Sequence, residues 1–127
     1  MAECKAAKCP FLFGIKLGEV GDSPLVDNSL YRYLVESLLY LTHSRPDLAY
    51  IVGDVARYMN QPHEIHLKES KRIPQYVQGT TNFRVHYVAS SPLELVGFSD
   101  SVLVGDPNDR KSTSNYVFML SNGPIFW

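Results

Sequence analysis

Tyr76-Val77-Gln78-Gly79-Thr80-Thr81-Asn82-Phe83-Arg84-Val85-His86-Tyr87-Val88 is the stretch in which this chain changes its periodicity. Before Gly79, apolar residues recur at helical spacing. From Asn82 onward Phe83, Val85 and Tyr87 alternate with Arg84 and His86, the period of a half-buried strand. Helices first and antiparallel strands second make an α+β chain.

Upstream of the switch, residues 28–81 read as three helices. Asp27 or Asn28 can cap the first, because a short polar side chain accepts from the free N–H groups of an opening turn. Leu30, Leu34, Leu38 and Leu41 share one face, widened by Tyr31, Tyr33 and Tyr40, and so broad an apolar face predicts burial. The second helix is expected at Ser44-Arg45-Pro46-Asp47, with Ser44 as cap, Pro46 in the first turn and Asp47 at the positive end of the dipole. Leu48, Val52, Val55 and Met59 would face inward, with Asp54 and Arg57 outside. The third, from His63 to Gln78, has a partial stripe of Ile65, Ile73 and Tyr76 and a left-handed stop at Gly79. Pro74 lies in its interior, where a lost backbone bond and a steric clash cost about 3 kcal/mol and predict a kink or fraying. Residues 1–27, with Gly14, Gly18, Gly21 and two prolines, read as a loop or linker.

Downstream, residues 82–127 read as strands. After the run at Phe83 to Tyr87, Pro92 interrupts. Glu94 to Asp100 then forms a strand, Gly105 to Asp109 a turn, and Thr113 to Leu120 another strand. Ser121-Asn122-Gly123 turns again into a strand starting at Pro124.

Composition narrows the class. The 127 residues carry 12 Lys+Arg against 13 Asp+Glu, a net charge of −1, which excludes a generally basic nucleic-acid-coating protein and an acidic tail. At 45% hydrophobic and 20% charged the composition is that of a folded chain. The longest nearly apolar stretch, Tyr33 to Thr42, is interrupted by Glu36 and is too short to span a bilayer. Lys8, Cys9 and Pro10 stand where a signal peptide needs an apolar run. Cys4 and Cys9 are too few for a disulfide framework, so an intracellular setting, cytoplasmic or nuclear, is expected.

Several motifs in order carry a family resemblance. Tyr31-Arg32, Val35, Ser37-Leu38-Leu39-Tyr40-Leu41-Thr42 and Arg45-Pro46-Asp47-Leu48-Ala49-Tyr50, followed by Lys71-Arg72-Ile73, Tyr76-Val77 and Gly79-Thr80, resemble the end of the reverse transcriptase region of copia-type LTR retrotransposon Pol polyproteins. Gly97-Phe98-Ser99-Asp100-Ser101 and Asp109-Arg110-Lys111-Ser112-Thr113-Ser114 resemble the opening of the ribonuclease H domain that follows it. The start, Met1-Ala2-Glu3-Cys4-Lys5 with Pro10 and Lys16-Leu17, is similar to the linker upstream of those helices. The chain departs from the family pattern at Glu36, Leu67, Pro74, Val102, Leu103 and Asn115.

The resemblance implies a helical segment followed by an incomplete antiparallel sheet, the start of a ribonuclease H-like fold. It also implies that the machinery is incomplete. The polymerase of this family needs an aspartate pair, and this sequence has no two adjacent aspartates. Ribonuclease H uses several carboxylates to hold two divalent ions, Mg2+ or Mn2+, which activate water and stabilise the leaving oxygen. Only the first of these has a match, Asp100. The expectation is a truncated, catalytically inactive Pol fragment with no cofactor of its own. The alternative is a small stand-alone interaction protein derived from such a fragment.

The bland readings of single residues point the same way. Asp100 is a metal-binding carboxylate in a full set and an exposed strand-end aspartate without one. Turn hydrogen bonding accounts for Asp106 and Asp109. His63 and His66 lack a third ligand and the spacing of a zinc-protease helix, which leaves exposed histidines at a helix start. Cys4 and Cys9 read as ordinary thiols. Lys68, Lys71 and Arg72 form the one basic helical cluster, diluted by Glu64 and Glu69, so weak non-specific nucleic-acid contact is the most it predicts. Tyr31, Tyr33, Tyr40, Tyr50, Tyr58 and Tyr76 could stack on bases, but their helical positions favour core and boundary packing. Neither a membrane nor a small-molecule substrate is expected as a partner; self-association through an open sheet edge is.

Overall fold

Asp27 begins the first helix: in the computed structural model its carboxylate accepts from the backbone N–H of Ser29 at 2.7 Å and of Leu30 at 3.1 Å. The structure describes residues 5–12, 14–89, 92–102 and 113–127. They fall into two units, one ending at Phe83 and the other beginning at Arg84.

In the first unit, α1 (Asn28–Thr42) buries Tyr31, Val35 and Leu38. This stripe is rotated from the leucine face expected from the sequence, for Leu30 is 56% exposed and Tyr33 and Tyr40 also lie outside. The helix is apolar on both sides, so its pattern does not choose the orientation. Packing does: Tyr31 turns inward onto a backbone acceptor, while Tyr33 and Tyr40 leave their hydroxyls to water.

Ser44 does not cap the next helix. Its hydroxyl donates back to the Leu41 carbonyl at 3.2 Å and helps to close α1. A 3-10 turn, Pro46–Leu48, leads into α2 (Ala49–Ala56), with Pro46 at its start, where no N–H is needed. Leu48, Val52 and Val55 face inward as their spacing predicts, joined by Ile51, and Met59 packs at the margin. Ile73 and Leu17 complete the buried core. Each such aliphatic side chain contributes about 1.5–3 kcal/mol through burial.

The third helix, α3 (Glu64–Gly79), continues through Pro74. External ties hold the part beyond the proline: the Ala7 N–H donates to the Gln75 carbonyl at 3.2 Å, and the Tyr76 hydroxyl donates to Asp47 at 3.3 Å. Gly79 is not the left-handed stop expected. Positive φ occurs at Gly14 and Gly21, whereas the helix is terminated by Thr80 at φ −128°. What Gly79 supplies is close approach, since a Cβ there would lie 3.1 Å from the Ala6 side chain.

In the second unit, the strand expected at Phe83 to Tyr87 does not form. The alternating aromatics serve as separate anchors instead. Phe83 meets Tyr76 edge-on in the first unit, with ring centroids 6.4 Å apart. The Tyr87 hydroxyl donates to the Pro124 carbonyl at 2.6 Å, and its ring fills the space over Gly123 that a Cβ would need.

β1 (Leu95–Val102), β2 (Thr113–Leu120) and β3 (Gly123–Phe126) form an antiparallel sheet in that order, which with the helices gives the α+β class. β1 and β2 pair from Leu95↔Leu120 to Val102↔Thr113. Ser121 and Asn122 connect β2 to β3, with Ser121 at φ 55°, the sign that tight hairpins require. Ser121 also donates its N–H to Glu94 and its hydroxyl to the Pro92 carbonyl, each at 2.8 Å. Tyr116, Phe118 and Phe126 cluster on one side, with the Tyr116 and Phe126 rings stacked 5.7 Å apart. The expected turn at Gly105 to Asp109 lies outside the described residues, as do Cys4 and Leu103.

Candidate functional site

The strand alternation of Leu95 to Asp100 places Asp100 near the end of β1, exposed, with Asn115 directly across on β2. Asn115 is one of the positions at which the chain departs from the family pattern. A two-ion site draws on several converging carboxylates. Among the described residues no three His, Cys, Asp or Glu side chains converge where a metal could sit. Asp106 and Asp109 lie outside the described residues.

The basic cluster on α3 divides. Lys68 and Lys71, one turn apart, are exposed. Arg72 is half-buried, and its Nε donates to the Cys9 carbonyl at 3.0 Å. The outward-facing charge is therefore two lysines, with the arginine holding the N-terminal segment.

The six helical tyrosines also divide. Tyr31 is buried and Tyr58 and Tyr76 are half-buried, as packing predicts. Tyr33, Tyr40 and Tyr50 are 73%, 82% and 67% exposed, against the packing expectation. A shallow depression of about 260 Å³ beside α1 is lined by Asn28, Ser29, Arg32, Tyr33 and Glu36.

Two polar knots in the first unit went unread in the sequence. In one, Arg45 lies against Asp47 as a fork, Nε to Oδ1 at 2.8 Å and Nη2 to Oδ2 at 2.7 Å. It also donates to the Thr80 hydroxyl at 2.9 Å and lies 5.7–5.8 Å from the Tyr76 and Phe83 ring centroids. The hydrogen bond from Arg45 holds the Asp47 carboxyl below its ordinary range, and Asp47 in turn raises Arg45. Burial, with Asp47 alongside, raises the Tyr76 phenol. The Arg-x-Asp spacing was the available signal. In the other knot, His66 is 1% exposed, contrary to the expectation of exposed histidines. It stacks on Tyr58 with centroids 4.1 Å apart.

The chain is 35% identical over all 127 residues to the retrovirus-related Pol polyprotein from transposon RE1 of Arabidopsis thaliana. It is 38% identical over 98 residues to that from transposon TNT 1-94 of Nicotiana tabacum. The chain belongs to the copia-type retrotransposon Pol family. It spans 9% of the RE1 polyprotein and 7% of the TNT 1-94 polyprotein. A third relative is short: secreted RxLR effector protein 161 of Plasmopara viticola is 35% identical over 101 residues, covering 79% of this chain and 71% of its own length. No family model and no solved structure matches. Among the described residues, no helix of this Pol-family chain is long and apolar enough to cross a membrane.

Proposed function

We propose that the chain is a non-catalytic segment of a copia-type Pol polyprotein, joining the end of the reverse transcriptase region to the first strands of the ribonuclease H region. The observation that carries this reading is the match over the whole chain to a copia-type Pol polyprotein of which it spans 9%. Two-ion hydrolysis needs several converging carboxylates, and among the described residues no three His, Cys, Asp or Glu side chains come together. The segment takes no cofactor and acts within the cell, in cytoplasm or nucleus. Its nucleic-acid contact is weak and non-specific, through Lys68 and Lys71. β1 is an outer strand of the sheet, and its open edge pairs with a second copy at high concentration.

The deciding assay is cleavage of an RNA–DNA hybrid with magnesium or manganese, comparing this chain with its Asp100→Asn variant. No cleavage by either is expected. Metal-dependent cleavage lost on substitution would overturn the reading.

A second reading has an observation of its own. The effector relative consists largely of the segment shared with this chain. A stand-alone, non-enzymatic interaction protein built from such a segment is the corresponding function here. Hydrogen exchange on the isolated chain separates the two. Slow exchange through Phe126 in a monomer favours the stand-alone protein, and rapid exchange throughout β1–β3 favours the polyprotein segment.

A further inference from the structure

His66 holds a protonation state that its surroundings dictate. The backbone N–H of His63 points at its Nδ1 at 2.9 Å, and the Leu17 carbonyl lies 2.9 Å from its Nε2. A backbone N–H only donates and a carbonyl only accepts, so Nδ1 is bare and Nε2 carries the hydrogen. Both ring nitrogens are engaged by neutral imidazole. Nδ1 of His63 faces the Ser23 carbonyl, and the His63 side chain accepts from the backbone N–H of His66, closing a reciprocal cap.

We propose that His66 is an acid-sensitive latch that fastens residues 15–25 to the start of α3 and releases them when its ring is protonated. Charging Nδ1 sets one donor against another and uncaps His63. It also places a cation in the first turn of a helix, at the positive end of the dipole. The ring is buried against Tyr58, so the charge has no water to stabilise it.

Charged and titratable groups approach His66 from three elements. On its own helix His63 meets it edge-on, 5.7 Å between centroids, and opposes a charge. Glu69 lies nearly a turn further on, with one oxygen accepting from the Leu12 N–H. From α2, Asp54 favours the charged form. In the N-terminal segment Lys16 and Glu19 pair with each other at 2.8 Å in the open. Burial outweighs Asp54, and the ring's pKa lies below its ordinary 6.5. The only relief is for the ring to leave its site, which gives up the Leu17 carbonyl. Other ties of the segment are Glu64 N–H to Pro24, Ile65 N–H to the Ser23 hydroxyl and the His63 ring to the Ser23 carbonyl.

The test is hydrogen exchange on the full chain from pH 7.5 to 5, corrected for intrinsic rates, beside an NMR titration of the His66 ring. Protection in residues 15–25 is expected to fall by up to tenfold per pH unit below about 6.5, while amides of α1 stay unchanged. The His66→Gln variant, which has no ring to charge, is expected to lose this dependence, and His63→Gln to keep it. Two results would overturn the latch: a His66 ring that titrates while residues 15–25 stay protected, or loss of protection with the ring still neutral. If the Gln variant fails to fold, the wild-type comparison of ring and segment decides alone.

Discussion

The hydroxyl of Tyr31 on α1 donates to the Val55 carbonyl at the end of α2 across 2.7 Å, inside the core. It joins two helices at a point where neither side chain contacts water. Burial pushes the Tyr31 phenol up to about 12.

Tyr31→Phe is therefore expected to cost about 1 kcal/mol at neutral pH, the net value of one buried hydrogen bond. The pH dependence has a definite sign. A phenol whose folded pKa exceeds its unfolded value of about 10 gives stability that is complete below pH 10 and is lost as pH rises toward 12. Urea unfolding at pH 7 and pH 11 checks both: the gap between wild type and Tyr31→Phe should narrow at pH 11. A gap that widens would contradict the buried phenol.

Arg45→Lys is expected to lower stability by about 1 kcal/mol, because an ammonium cannot reproduce the planar fork on Asp47 or its position between two rings. Partial exposure of Asp47 keeps the value modest. Asp47 has a lowered folded pKa, so its contribution is present above the unfolded value of about 3.9 and disappears as pH falls below it. The variant should show a shallower acid limb in a melting series from pH 6 to 2.5.

Glu69 is 2% exposed, and its Oε1 has no hydrogen-bond partner. Glu69→Gln keeps an oxygen for the Leu12 N–H while removing a buried charge with one oxygen unmatched. The urea midpoint at pH 7 is expected to rise, by an amount on the order of 1 kcal/mol. A fall of that size would mean that the carboxylate is better matched than its contacts suggest.

The parts of the fold that were legible in the sequence are those in which one local pattern has one solution. Thr113 to Leu120 is dense in β-formers between turn residues, and it is β2 residue for residue. Leu48, Val52 and Val55 make a narrow stripe with polar residues opposite, and they are buried. Where the pattern was degenerate, tertiary packing decided. α1 is apolar on two faces, and Phe83, Val85 and Tyr87 alternate without a strand to pair with. The candidate site follows the same logic. The strand position of Asp100 could be read locally, but its partner Asn115 depends on register. His66 looked exposed because its partners, Leu17 and Tyr58, are supplied from other parts of the chain.

Pro74→Leu restores the N–H that the interior of α3 lacks and removes the ring's clash with the preceding turn. Because the helix already runs to Gly79, the substitution needs no new backbone path. Thermal unfolding should shift upward, by at most the equivalent of about 3 kcal/mol. A lower melting temperature would mean that the half-buried ring packs better than it obstructs.

The last prediction concerns the lysines of α3. Sequence spacing gives three cationic residues, but Arg72 is turned onto the Cys9 carbonyl, leaving Lys68 and Lys71 facing outward. Each phosphate neutralised on duplex DNA releases roughly 0.9 counterion, so two contacts give a slope of about −1.8 for log affinity against log salt, where three would give about −2.7. Titration of a fluorescent duplex between 25 and 200 mM salt (roughly the range in which so weak a site is measurable) distinguishes these values. Replacing either lysine with Ala should lower the slope by about 0.9 without affecting folding. Arg72→Ala should leave the slope near −1.8 and lower the melting temperature, because it cuts a tie to the N-terminal segment. A slope near −2.7 that falls with Arg72→Ala would return the arginine to the nucleic-acid face.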